Sequence, residues 1–180
     1  KVIILAAGMS SRLRTLTNDK PKCMLKLFNE TLIERQIKIF NNCNINDITI
    51  VTGYMSEMID IPDVNYVKNK NYETTNINES LFCALEPSSS PILVTYSDIV
   101  FEQKIIQQML EIIDGIRLAV NLNWKKYYQN RTMHPLSEAE NVLVENGRIL
   151  QIRKNISESL QNQQIGEFLG IMMLSSQHVK

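Results

Sequence analysis

Five apolar residues, Val2 to Ala6, open the chain and give way at once to Ala7-Gly8. An apolar run this short, without alternation, reads as a strand buried on both faces, the kind found in parallel sheets with helices packed on either side. Open sheets of that class hold their ligands beyond the C-terminal ends of their strands, so the loop after Ala6 lies where a ligand binds. Ala6, Ala7 and Gly8 carry almost no side chain. The backbone there can approach a phosphate closely, and successive N–H groups can form an anion-binding nest. Arg12 and Lys22 add mobile positive charge to the same loop. Arg offers a planar fork for two phosphate oxygens, and Lys offers a compact charge to meet negative charge developing at phosphorus. Pro21 fixes its own backbone angle and biases Lys20 toward an extended conformation, which aims Lys22 back at the loop. These are the means to hold a nucleoside triphosphate. The chain has neither G-x-x-x-x-G-K-[ST] nor G-x-G-x-x-G, which sets aside a P-loop and a dinucleotide fingerprint.

Strand and helix signals then alternate, as a parallel α/β sheet requires. Leu32, Ile33, Ile37 and Phe40 share one face of a helix predicted over Thr31 to Asn42. Strands are predicted at Asp47 to Thr52, Val64 to Val67, Pro91 to Thr95, Arg117 to Leu122 and Phe168 to Leu174. Asn78 to Glu86 reads as a helix stopped by Pro87, and the stripe Ile105, Ile106, Met109, Leu110 and Ile113 as another closed by Gly115. Asn146-Gly147, between Val142 to Glu145 and Arg148 to Arg153, is a hairpin signal, because a type I′ turn needs positive backbone angles at both central residues. The expected architecture is α/β, a Rossmann-like three-layer α/β/α fold with a mostly parallel central sheet and a β-hairpin extension. One domain over residues 1 to 180 is expected, since no linker or internal repeat divides the chain.

Asp98 stands just past the strand Ile92-Leu93-Val94-Thr95, where a carboxylate can hold Mg²⁺ against triphosphate oxygens; its ordinary alternative is a turn or cap Asp. Asn76, Asn78 and Ser80 lie in a polar insert before an apolar helix and read equally as helix caps or as contacts to a base or small headgroup. Trp124, Tyr127 and Tyr128 form an aromatic cluster that can enclose a quaternary ammonium, although packing is the commoner use of such rings.

Nineteen acidic and nineteen basic residues cancel, so no global field draws nucleic acid or an anionic membrane, and phosphate affinity has to be local. A chain of 180 residues buries roughly 70% of its unfolded surface. Cys23, Cys43 and Cys83 lack metal-ligand spacing and are odd in number, which reads as reduced small hydrophobes rather than a disulfide framework. No apolar run nears the ~20 residues of a membrane span, and a cytoplasmic location is expected.

The stretch LAAGMSSRLRTLTNDKPKCML resembles the signature loop of nucleotidyltransferases that activate small phosphorylated molecules, loosely LAAGxGxRLxPLTxxxPKxL. VTYSDIVF (94–101), HPLSEAE (134–140) and QIGEFLGIMML (164–174) are similar to the phosphocholine and phosphonate cytidylyltransferase branch. The resemblance implies transfer of CMP from CTP to a small phosphate or phosphonate acceptor, of phosphocholine or 2-aminoethylphosphonate type, with release of pyrophosphate. It implies Arg12 and Lys22 as catalytic cations and Asp98 as a Mg²⁺ ligand. Nucleotide contacts are expected from Leu5, Ala6, Ala7, Gly8, Met9, Ser10, Ser11, Asn76, Ser80 and Ser97, and acceptor contacts from Trp124 and Glu167. Glu167 stands where the branch has Gln and His134 where it has Asp, which leaves the acceptor open. Lys1 falls at the first strand with no initiator Met, so the sequence reads as trimmed at its front. The family's second metal-binding Asp, in a W-x-E-[IV]-D-like segment, has no counterpart here, so it also reads as lacking the family's usual C-terminal part. Transfer to a sugar or polyol phosphate, and a noncatalytic nucleotide-binding domain, are the alternative functions. Homo-oligomerisation is left open.

Overall fold

The computed structural model describes residues 1–9, 16–111, 114–129, 131, 135–156 and 160–179. Ser10, Ser11, Arg12, Ile113 and His134 lie outside the described residues. The chain divides into two compact units, one of Lys1–Arg117 with Gly170–Lys180 and one of Leu118–Leu169.

In the first unit, β1 (Val2–Ala6) is the central strand and is buried at all five positions. A two-residue ribbon follows, β2 (Lys26–Leu27) antiparallel to β3 (Glu30–Thr31), with Phe28 at its tip in the left-handed region at φ 60°. The helix α1 (Leu32–Asn42) begins at a complete capping box. The Thr31 hydroxyl accepts from the Glu34 N–H at 3.2 Å while the Glu34 carboxylate accepts from the Thr31 N–H at 2.8 Å. Next come β4 (Ile48–Thr52), β5 (Asn65–Lys68), α2 (Ile77–Ala84), β6 (Ile92–Tyr96) and α3 (Gln103–Glu111), then β7 (Ile116–Asn121), whose residues from Leu118 on belong to the second unit.

The strand order β5-β4-β1-β6 is parallel throughout, with Val2 beside Ile48 and Leu93, and Leu5 beside Val51 and Tyr96. Ile3, Leu5, Val51 and Val94 form one core cluster with Leu81 and Ala84 of α2. The chain moves outward from β1 to β4 through α1 and back from β5 to β6 through α2, so right-handed crossovers put these helices on opposite faces. That is the expected three-layer arrangement, and it explains why β1 is a continuous apolar run and β4 is buried at all five positions: these strands are covered on both sides.

The last strand, β10 (Gln163–Leu174), closes this unit with its final residues, Ile171 to Leu174, antiparallel to Thr95 to Ile92. It is longer than the predicted Phe168 to Leu174, because Gln163, Gln164, Gly166 and Glu167 are ladder residues whose polarity hides the strand from a hydrophobicity reading. Gly170 has φ 78°, and a Cβ there would stand 2.7 Å from the Tyr96 ring, so only glycine fits.

In the second unit, β8 (Glu140–Glu145) pairs antiparallel with β9 (Arg148–Lys154) and with the start of β10. Asn146 and Gly147 have φ 50° and 76°, the paired positive angles that the hairpin reading required. Trp124 and Tyr128 form a small core with Ala139 and Ile165.

Candidate functional site

The C-terminal ends of β1 and β6 border a cleft of about 300 Å³, all of it within the first unit. Leu5, Ala6 and Gly8 line one side, Tyr96, Ser97 and Asp98 another, and Pro21, Lys22, Cys23 and Ile77 complete it. Parallel pairing of β1 with β6 aligns the two strand ends, and the Ser97 N–H donates to the Leu5 carbonyl at 3.2 Å, which continues the ladder to the rim.

Lys22 reaches this rim because Pro21, at φ −67° and ψ 155°, leads into a 3-10 turn over Lys22–Met24. The Met24 N–H donates to the Pro21 carbonyl at 3.0 Å, and the Leu25 N–H to the Lys22 carbonyl at 3.0 Å. Its ammonium meets Asp98 Oδ2 at 2.9 Å, across 76 positions of sequence. Both side chains keep contact with solvent, 25% exposed for Lys22 and 37% for Asp98, so the pair is open to exchange with a charged ligand. Beneath Lys22, the Cys23 thiol is buried, and that burial, reinforced by the negative charge of Asp98, pushes its pKa up to about 12. Cys23 is thus an inert wall of the cleft and no nucleophile.

The structure therefore gathers Leu5, Ala6, Gly8, Lys22, Ser97 and Asp98 at one place. Ala7 is buried next to them, its carbonyl accepting from the Tyr54 N–H at 3.2 Å, and Met9 is exposed. Arg12, Ser10 and Ser11 lie outside the described residues. Asn76 and Ser80 are not among the residues lining the cleft. Asn76 caps α2, its Oδ1 accepting from the N–H groups of Asn78 at 2.9 Å and Glu79 at 3.3 Å. Ser80 is buried and accepts from Asn69 Nδ2 at 3.0 Å, which leaves both side chains in structural use. Ile77, the first residue of α2, and Tyr96 enter the cleft instead. No signal in the sequence set Ile77 apart from the other apolar residues of its helix.

In the second unit, Trp124 is 4% exposed, packs edge-on to Tyr128 with centroids 5.4 Å apart, and donates its indole N–H to the Ile165 carbonyl at 3.0 Å. These are packing contacts. The Tyr128 hydroxyl donates to the Glu167 carboxylate, and the Arg131 guanidinium lies 4.5 Å from the Tyr128 ring centroid. Burial, then that bond to Glu167, pushes the phenol pKa up. Tyr127 is exposed with Lys126 over its ring at 5.0 Å. Among the described residues no group of three or more His, Cys, Asp or Glu could hold a metal ion, and no helix is long and apolar enough to cross a membrane.

The chain has known relatives. A CTP:phosphoglutamine cytidylyltransferase of Campylobacter jejuni is 31% identical over 92% of this chain and 71% of its own length. A choline-phosphate cytidylyltransferase of Streptococcus pneumoniae is 34% identical over 57% of this chain and 46% of its own length. The solved inositol-1-phosphate CTP transferase of T. maritima superposes with a TM-score of 0.73 at 20% identity, over 98% of this chain and 70% of that one, which shows the fold. Residues 2–161 match the MobA-like NTP transferase domain, and the chain, a nucleotidyltransferase, belongs to that family.

Proposed function

We propose that this chain moves CMP from CTP to a phosphate or phosphonate oxygen of a small acceptor of phosphocholine or 2-aminoethylphosphonate type. The observation that carries the reading is the Lys22–Asp98 pair at 2.9 Å, set at the ends of two adjacent parallel strands. The relatives, a CTP:phosphoglutamine cytidylyltransferase and a choline-phosphate cytidylyltransferase, support the base and the acceptor class.

The acceptor oxygen is already ionised near neutral pH, so the reaction needs no general base. That oxygen bonds to the α-phosphorus as the bond to the bridging oxygen breaks, and pyrophosphate leaves with the electron pair. Catalysis is then alignment and charge neutralisation. Lys22 exchanges Asp98 for phosphate oxygens, meeting the charge spread over the α-phosphorus. Arg12 is assigned the same task from the signature loop, with Ser10 and Ser11 beside it. The small residues Ala6, Ala7 and Gly8 let the backbone approach base and phosphates.

Asp98 fits Mg²⁺, an ion that keeps several waters and takes one or two carboxylates together with substrate phosphates. The carboxylate is exposed at the cleft and Lys22 engages only its Oδ2 by the bond described. When bound there, the ion supplies charge neutralisation at the triphosphate. Glu167 is assigned to the acceptor, while buried Trp124 supports its surroundings through Tyr128. The cytoplasm is the proposed compartment, in keeping with three free thiols.

A pyrophosphate-release assay with CTP, UTP, ATP and GTP tests the reading. The four nucleotides are each offered with phosphocholine, 2-aminoethylphosphonate, phosphorylated glutamine and glucose 1-phosphate. Turnover is expected with CTP and one of the first three acceptors. A preference for UTP with the sugar phosphate would replace the reading by sugar activation.

A further inference from the structure

Gln36 is a polar residue on the buried face of α1, 1% exposed, and the cleft does not account for it. Its Nε2 donates twice, to the Tyr96 carbonyl at 2.9 Å and to the Ile99 carbonyl at 2.8 Å. These are the first and fourth residues of the turn that carries Ser97 and Asp98. The two hydrogens of one amide diverge at a fixed angle in one plane, so the two carbonyls they meet are held at a fixed separation. The Gln36 Oε1 is buried and has no partner among the described residues. An apolar side chain would avoid that orphaned oxygen, so the amide is retained for its two donors.

The same helix grips the far side of the turn. Phe40 of α1 packs on Phe101 with ring centroids 5.9 Å apart, and Asn42 Nδ2 donates to Gln103 Oε1 at 3.4 Å. From these contacts we infer that Gln36 is a positioning residue, which holds the Ser97–Asp98 turn in the one conformation that presents the Asp98 carboxylate to a metal-bound nucleotide. The inference rests on the role given to Asp98 under the proposed function. Gln36 touches neither nucleotide nor metal and acts through the turn alone.

The test uses the whole chain, CTP and Mn²⁺ as probes, and the variants Gln36→Met and Gln36→Glu. Calorimetry measures CTP affinity in Mn²⁺ and in EDTA, and hydrogen exchange follows the peptide spanning Tyr96 to Phe101. In Gln36→Met, the affinity in Mn²⁺ is expected to fall at least tenfold and that in EDTA to change less than threefold, with faster exchange at 96–101. In Gln36→Glu the loss should shrink as pH falls, because a protonated carboxyl donates one of the two bonds. Thr31→Ala, which loosens α1 away from the turn, should change neither affinity by more than twofold. Wild-type exchange, or equal losses in Mn²⁺ and EDTA, would overturn the inference, as would failure of both Gln36 variants to fold at low temperature. Asp98→Ala separates the two claims. If it keeps the wild-type gain from Mn²⁺, the metal role of Asp98 falls, and the exchange result alone then decides whether Gln36 holds the turn.

Discussion

Lys22 and Asp98 hold one another at 2.9 Å, which keeps the lysine at the rim of the cleft while no ligand engages it. An exposed pair of this kind contributes little to stability, so its value lies in placing the ammonium and not in holding the fold. Cys23, one residue on, gives a check on the local packing. With its thiol buried and its pKa raised to about 12, it should resist Ellman's reagent in the native protein at pH 7.5. The exposed Cys83 should react readily, and Cys43, half-buried and with its thiol also raised by burial, should react at an intermediate rate. Rapid native labelling of Cys23 would mean that the floor of the cleft is open. The pairing of Lys22 with Asp98 was not legible in the sequence as a contact, because 76 residues separate them. Each was legible alone, from its place after a strand. Asn76 shows the opposite case: capping and ligand contact are both read from one residue type, and only the observed bonds to the Asn78 and Glu79 N–H groups show which one its Oδ1 makes.

The helix α1 couples this site to ordinary helix chemistry. Two hydrogen bonds from Thr31, the backbone N–H first and the hydroxyl second, hold the Glu34 carboxyl below its usual 4.5. A carboxyl depressed in the folded state adds stability that is present above its unfolded value and lost as pH falls through its folded value. Thr31→Ala should therefore destabilise the protein by about 1 kcal/mol at neutral pH. The gap between variant and wild type should narrow from pH 6 to pH 3, as read by urea denaturation, and a gap constant across that range would remove the bond from the Thr31 hydroxyl to the Glu34 carboxylate from the account. At this scale the sequence was informative wherever a period existed. Ile33, Ile37 and Phe40 mark the buried face of α1, and Gln36 falls on the same face at the same spacing. That spacing is the signal for Gln36, although its polarity is more usual on a solvated helix face. The ribbon β2–β3 was not legible, since two-residue strands have no period to detect.

Across the whole molecule, nineteen charges of each sign leave no net charge, so under the proposed function recognition of a triphosphate falls to a few residues at one cleft. Binding there should still register globally. CTP with Mg²⁺ at a hundred times its Kd adds about 2.7 kcal/mol and should raise Tm by about 5–10 °C, whereas free phosphate at the same concentration should not. No shift with CTP at any concentration would remove the nucleotide from the account. The alternating pattern of strands and helices, the Asn146-Gly147 hairpin and the mostly parallel sheet were all legible, because buried strands and tight turns constrain composition directly, whereas the strand order was not. Nor was the full length of β10, because its polar first half carries no hydrophobic signal. The most direct test of the account is the turnover number of Lys22→Ala in CTP-dependent pyrophosphate release, measured beside its thermal melt. The account predicts a loss of about 10²-fold or more with Tm within a few degrees of wild type. A Lys22→Ala protein that releases pyrophosphate at the wild-type rate would contradict it.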